Sequence, residues 1–239
     1  MFNKETIISL IDLTYLDDQG NDAQVEALCQ KANNLVTPVA SICIYPRAIQ
    51  TARAQLNKEI AIATVINFPT GNLALDQVIA EAEFALMQGA DEIDLVIPYQ
   101  NYLKHAQADN QSIELVKAIK AVCQNKCLKV IIESGELKSP QLIRQASIDA
   151  IDGGADFIKT STGKVAIGAT LDAASIMLDV IKDCKAYEVV CGFKASGGIR
   201  CEEDAISYLE LAEEKLGKGF IHPKTFRFGA SSLLDDLVK

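Results

Sequence analysis

Lys159 and Lys194 each interrupt a short, otherwise apolar run, DFIKTST at 156–162 and EVVCGFKAS at 188–196. Two amines in neighbouring apolar segments crowd each other's charge, and burial disfavours the charged form of both, so one of them should be neutral near pH 7. A neutral amine is a nucleophile. With an aldehyde or ketone it forms an imine, which takes up the electrons released when a nearby carbon–carbon bond breaks, without help from metal or cofactor. Asp94, in EIDLVIP at 92–98, is the candidate base for the hydroxyl proton whose loss drives that fission, acting directly or through water. Spacing does not decide which of the two lysines is the nucleophile.

Three glycine- and serine-rich segments suggest where an anion would sit: Ser161-Thr162-Gly163-Lys164, Ser196-Gly197-Gly198 and Gly229-Ala230-Ser231-Ser232. Backbone N–H groups at such turns hold phosphate, and Gly-Gly lets the backbone approach it closely. One such segment is an ordinary turn. Three at the ends of successive apolar runs point to a phosphate.

The elements that must position these groups follow a regular order. Eight short β-branched runs (IDLTYL, VASICIYP, IAIATVINFP, EIDLVIP, LKVIIES, DFIKTST, EVVCGFKAS and FRFGAS) alternate with helical patterns at Asp22–Asn34, Pro46–Asn57, Asp76–Gln88, Asp109–Gln124, Ser139–Asp152, Asp172–Asp183 and Glu202–Leu216. Strict alternation means a parallel sheet covered by helices. The dinucleotide-binding G-x-G-x-x-G that would favour an open sheet is absent after the first run, so eight units predict a TIM (β/α)₈ barrel. At 239 residues the barrel is expected to be one domain over 1–239, with a short helix at Asn3–Leu10 closing its bottom.

Barrel strands send alternate side chains inward and outward, so each run can be split by parity. Ile93, Leu95 and Ile97 form an aliphatic phase facing the helices, which sends Asp94 inward. Leu128, Val130 and Ile132 leave Lys129 and Glu133 inside; Val189, Cys191 and Phe193 leave Lys194 inside. Asp12, Cys43 and Asn67 turn inward by the same test. DFIKTST is less clear, because Ile158 shares its phase with Asp156 and Thr160. A core holding Asp12, Asp94, Lys129, Lys159 and Lys194 is poorly explained as scaffold, since buried charges cost several kcal/mol each unless paired.

The net charge of -9 and the lack of a Lys/Arg cluster argue against a nucleic-acid partner. No apolar run reaches the 18 or so residues of a membrane span. Seven cysteines, an odd number, with no secretory peptide at the start, read as reduced thiols in the cytoplasm. Cys123 and Cys127 have metal-ligand spacing, but no second pair or nearby histidine follows, so no metal is expected.

With these residues assembled, the chain resembles the deoxyribose-phosphate aldolases, class I barrel aldolases, from Asp12 to Leu234. The closest segments are DFIKTSTGK (156–164), GFKASGGIR (192–200), GADEIDLVIPY (89–99), KVIIESGEL (129–137) and RFGASSLL (227–234). The resemblance implies that Lys159 forms the Schiff base, that Lys194 lowers that amine's pKa, and that Lys194 and Asp94 move protons through a water. It further places Asp12, Cys43, Lys129 and Thr162 around the substrate, and Gly163, Lys164, Gly197, Gly198, Gly229, Ser231 and Ser232 around its phosphate. The implied reaction is reversible cleavage of 2-deoxy-D-ribose 5-phosphate to D-glyceraldehyde 3-phosphate and acetaldehyde, in deoxyribonucleoside breakdown, with no cofactor; a homodimer is the assembly it suggests. Some members end in a tail whose tyrosine helps protonate the enamine. Here Lys239 follows soon after Ser232, so that proton is expected from Asp94, Lys194 or water. Cys43 reads as packing beside the substrate, since neither histidine, His105 or His222, stands on its strand.

Three rivals predict different residues. A lysine aldolase for keto acids would place an arginine inside the barrel, and none is read inward. A non-covalent barrel isomerase would need a Glu/His pair, and a phosphosugar-binding sensor would lack Lys159 or Asp94.

Overall fold

The computed structural model describes residues 2–105, 110–185 and 190–239. Eight strands, β1 (Ile11–Tyr15), β2 (Ser41–Ile44), β3 (Ala61–Ile66), β4 (Glu92–Val96), β5 (Cys127–Ile131), β6 (Phe157–Lys159), β7 (Gly192–Ser196) and β8 (Phe226–Ala230), close into a barrel in chain order. Every neighbouring pair is parallel, and β8 returns to β1 with Asp12 beside Gly229. The predicted TIM barrel is therefore the fold.

The described helices are α1 (Lys4–Ser9), α2 (Asp22–Asn33), α3 (Ile49–Gln55), α4 (Leu75–Met87), α5 (Gln100–His105), α6 (Asn110–Cys123), α7 (Ser134–Leu137), α8 (Pro140–Asp152), α9 (Leu171–Lys185), α10 (Glu202–Leu216) and α11 (Leu233–Leu237). Pro46–Ala48 is a 3-10 turn leading into α3, so that segment starts tighter than an α-helix. Local chemistry sets the ends. In α2 the Asn21 side chain accepts from the Gln24 N–H while Gln24 answers at the Asn21 N–H, a capping box, and Val25, Cys29 and Ala32 then fall on one buried face. Asp109, expected to begin a helix, and Val189, expected to face outward, lie outside the described residues.

Parity holds where it can be read. Ile93, Leu95, Ile97, Leu128, Val130, Ile132 and Phe193 join the apolar layer between sheet and helices, each contributing about 1.5–3 kcal/mol by burial. The ambiguous run resolves as well: Ile158 belongs to that layer, so Phe157 and Lys159 face inward. Inside the barrel, Cys43, Ala63 and Val65 form a small apolar patch on the β2–β3 side. The opposite wall is charged. The N-terminal helix, expected to close the bottom, packs against α10 and α11 with Ile7 and Ile8 buried. No helix among the described residues is long and apolar enough to cross a membrane.

Candidate active site

Asp94 on β4 is the hub of the barrel interior. Its Oδ2 accepts from Lys159 at 2.7 Å and from Lys194 at 2.8 Å, and its Oδ1 accepts from Lys129 at 2.9 Å. Asp12 on β1 takes Lys194 at 2.5 Å and lies 3.5 Å from Lys129. Four residues that parity sent inward, Asp12, Asp94, Lys129 and Lys194, thus form one buried network with Lys159, whose strand parity left unclear.

The three amines differ in their surroundings. For Lys194 burial alone would lower the pKa, but Asp12 and Asp94 outweigh it and raise the value. Lys129 is held still further up, by Asp94, Glu92 and Asp12 against the same burial. Lys159 moves the other way: burial lowers it, Asp94 alone among the carboxylates opposes, and the Lys194 ammonium pushes it down again. Asp94, despite burial, is held far below the usual carboxylate range by Lys129, Lys159 and Lys194. Of the three lysines only Lys159 lines the open cavity above. Lys159 therefore combines a lowered pKa with a place on the cavity wall, and Lys194 has neither, a difference that spacing left open.

That cavity, of about 390 Å³, is walled by Thr14–Asp17, Thr162, Gly163, Lys164, Ser196–Arg200 and Gly229–Ser232. It holds all seven residues expected around a phosphate. Gly197 and Gly198 have φ of +90° and +92°, in the left-handed region where a side chain would be strained. Gly197 also packs on Gly168, whose added Cβ would lie 2.4 Å from the Gly197 carbonyl oxygen. The Gly163 N–H donates to Ser161 Oγ and the Lys164 N–H to Thr162 Oγ1, while Lys164 Nζ donates to the Leu16 carbonyl at 2.7 Å. These bonds tie the β6 loop to the rim over β1.

Asp12, Cys43 and Lys129, expected beside a substrate, lie beneath the cavity rather than on its wall; Thr162 does line it. Cys43 is fully buried, and burial, with Asp94, raises its thiol, so it has no thiolate character. Glu133 is buried but stands apart from the lysines. It accepts from the hydroxyls of Ser161 and Thr162 at 2.5 Å each and from the Thr162 N–H at 3.3 Å, holding the β6 loop. Asn67 donates to the Val96 carbonyl and accepts from the Leu73 N–H, which places it in the β3 loop.

Two inward residues escaped the sequence reading. Arg227 on β8 reaches Asp12 at 2.5 Å and Glu92 at 3.0 Å, and Glu92 also meets Lys129 at 2.5 Å. The expectation that no arginine lies inward is therefore corrected. Parity contained the signal, because Phe226 and Phe228 face outward and Arg227 lies between them. Arg227 sits at the floor, however, bound to carboxylates of the protein, and does not line the cavity. Arg200 was likewise not singled out, and it does line the cavity. Among the described residues, no group of three His, Cys, Asp or Glu side chains is arranged to hold a metal.

A closed βα barrel with amines and carboxylates converging below a cavity at its strand ends is the architecture of a barrel enzyme. Comparison narrows the class: the model of the DeoC/LacD family aldolases matches residues 6–239, and the chain belongs to that family. It is an aldolase, a carbon–carbon lyase. A deoxyribose-phosphate aldolase from Agrobacterium fabrum is 50% identical over 234 residues, which span 97% of this chain and 88% of the relative. A crystal structure from Toxoplasma gondii ME49, provisionally assigned to the same activity, is 25% identical with a TM-score of 0.88, covering 98% of this chain and 91% of that one. The tetrameric deoxyribose phosphate aldolase from Aeropyrum pernix shares the fold at 24% identity and a TM-score of 0.78, over 99% of this chain and 91% of its own.

Proposed function

We propose that the chain cleaves 2-deoxy-D-ribose 5-phosphate reversibly into D-glyceraldehyde 3-phosphate and acetaldehyde through an imine on Lys159. The observation that carries this reading is that Lys159 alone combines a lowered pKa with a place on the cavity wall. Its free amine adds to the aldehyde carbon of the open-chain sugar, and loss of water gives the iminium. Removal of the 3-hydroxyl proton then breaks the bond between C2 and C3, with the electron pair passing to the iminium to leave an enamine. Protonation at C2 and hydrolysis release acetaldehyde and restore the amine.

Asp94 is a weak base while three amines hold it, so its part is to orient Lys159 and Lys194 and to steady a water that relays the hydroxyl proton. Lys194, kept charged by Asp12 and Asp94, supplies the positive field that favours a neutral neighbour and can donate a proton to the leaving hydroxide. Asp12 and Lys129 act through these two. Cys43, Ala63 and Val65 provide the apolar side of the interior. The phosphate is received by the turns at Gly163-Lys164, Gly197-Gly198 and Gly229 to Ser232, with Lys164 and Arg200 supplying charge at the rim.

The lysine imine is itself the electron sink, so the scheme calls on no metal or organic cofactor. We extend the reading to one functional unit over residues 1–239, a homodimer in the cytoplasm without nucleic-acid or membrane partners; the net charge of -9 supports the last point, and sedimentation tests the assembly. The chemical test is borohydride reduction in the presence of acetaldehyde, followed by peptide mapping. A two-carbon adduct at Lys159, together with acetaldehyde release from the sugar phosphate, is the expected result. An unchanged intact mass, or an adduct on another lysine, refutes it.

A further inference from the structure

Beneath the lysines, Arg227 and Glu92 close the floor of the network without lining the cavity. Through direct ion pairs, four cations (Lys129, Lys159, Lys194 and Arg227) meet three carboxylates (Asp12, Glu92 and Asp94). With every group ionised, this buried cluster carries one excess positive charge in a space shielded from water. It becomes neutral when a single amine gives up its proton, and an unbalanced buried charge is the costly state.

The contacts decide which amine that is. Arg227 does not deprotonate in proteins. Lys129 has three carboxylates within 3.5 Å and Lys194 has two, whereas Lys159 has only Asp94. We propose that Arg227 and Glu92 are positioning residues that set the charge balance of the cluster and so hold Lys159 as a free amine. This rests on Lys159 being the imine-forming residue.

The groups facing each member are consistent with such a balance. Around Lys159 stand Asp94 from β4, Lys194 from β7 and Cys43 from β2. Lys194 faces Asp12, Asp94, Lys129 and Cys43, and Lys129 faces Asp94, Glu92, Asp12 and Cys127. Arg227 faces Asp12, Glu92 and Cys127, with its guanidinium carbon 5.7 Å from the centre of the Phe157 ring. The two thiols stay neutral, since burial raises Cys43 and lifts Cys127 to about 12.

The proposal gives effects of opposite sign. Without the Arg227 charge the cluster is balanced with Lys159 protonated, so the amine keeps its proton to higher pH. Without the Glu92 charge the positive excess grows, and the proton leaves at lower pH. A merely structural role would impair both variants in the same sense.

The experiment follows the rate of cyanoborohydride trapping of acetaldehyde against pH, read as intact mass and peptide map, for wild type, Arg227→Met, Arg227→Lys, Glu92→Gln and the double variant R227M/E92Q. The midpoint should rise by about one pH unit in R227M and fall by about one in E92Q, the size expected of a unit charge acting one carboxylate away at an effective dielectric of about 20. R227K and the double variant should return close to the wild-type midpoint. E92Q removes the charge at almost unchanged side-chain size, so with its fold checked by circular dichroism it decides the matter even where R227M does not fold. A wild-type adduct away from Lys159 overturns the imine reading. An adduct on Lys159 whose midpoint stays fixed in E92Q, or moves the same way in E92Q and R227M, overturns the charge-balance proposal alone.

Discussion

Lys159 and Lys194 are register partners on β6 and β7, and their amines donate to one shared oxygen, Oδ2 of Asp94. They compete for the same counter-charge, and of the two Lys194 has a second carboxylate, Asp12, on its other side. Replacing Lys194 by leucine removes the competitor and leaves that oxygen to Lys159. The remaining amine then gains its proton more readily. Lys194→Leu should lower kcat/KM by about 100-fold or more, within the range of a lost proton-transfer partner, while circular dichroism stays native. The trapping midpoint of Lys159 should rise with it. Near-normal turnover of the variant would sink the coupling between the two amines.

Gly229 tests the same geometry from the neighbouring strand, β8. A Cβ there would lie 2.7 Å from Ser196 Cβ and 3.1 Å from Lys194 Cε, so this glycine makes room for the lysine as well as lining the cavity. Gly229→Ala should cost about 1–3 kcal/mol of stability by overpacking and displace the Lys194 ammonium from Asp12 and Asp94. We expect kcat to fall about tenfold, with a smaller rise in KM, measured by steady-state kinetics beside a thermal melt. A rise confined to KM would assign Gly229 to the phosphate alone.

The sequence carried much of this architecture because barrel strands obey a period of two. Asp12, Asp94, Lys129 and Lys194 stood out against clean aliphatic phases, and the structure joins them. Lys159 was harder to place, since its strand spans only Phe157–Lys159 and flanking polar residues blur the phase. Arg227 was legible by the same rule but overshadowed by the glycine and serines that follow it. Glu133 lies where the period of two ends. Its φ of +52° breaks the strand alternation, so parity could not show that its carboxylate serves Ser161 and Thr162 rather than the lysines. The choice between Lys159 and Lys194 was also beyond spacing, because it depends on how many carboxylates each amine meets in three dimensions.

Glu133 gives a prediction about loop order. As a carboxylate it accepts three hydrogen bonds from Ser161 and Thr162, and an amide in its place turns one acceptor into a donor facing donors. Glu133→Gln should therefore destabilise the fold by about 1–3 kcal/mol and loosen the loop carrying Thr162, Gly163 and Lys164. The kinetic signature should be a several-fold rise in KM for the phosphorylated sugar. An unchanged melting temperature and KM would show that the carboxylate is dispensable to the loop.

Arg200 separates phosphate capture from imine chemistry. Arg200 lines the cavity at the end of the Gly197-Gly198 turn, whereas Lys129 and Lys194 do not, so its charge should serve the bound ester in ground state and transition state alike. Loss of such uniform binding raises KM and leaves kcat nearly unchanged. Arg200→Met should raise KM for the sugar phosphate about tenfold, equivalent to about 1.4 kcal/mol, and weaken competitive inhibition by inorganic phosphate in proportion. Trapping of acetaldehyde, which carries no phosphate, should fall far less. Equal losses in sugar-phosphate turnover and in acetaldehyde trapping would mean that Arg200 acts on the amines instead, and the division of the site into a charged floor and a phosphate rim would have to be redrawn.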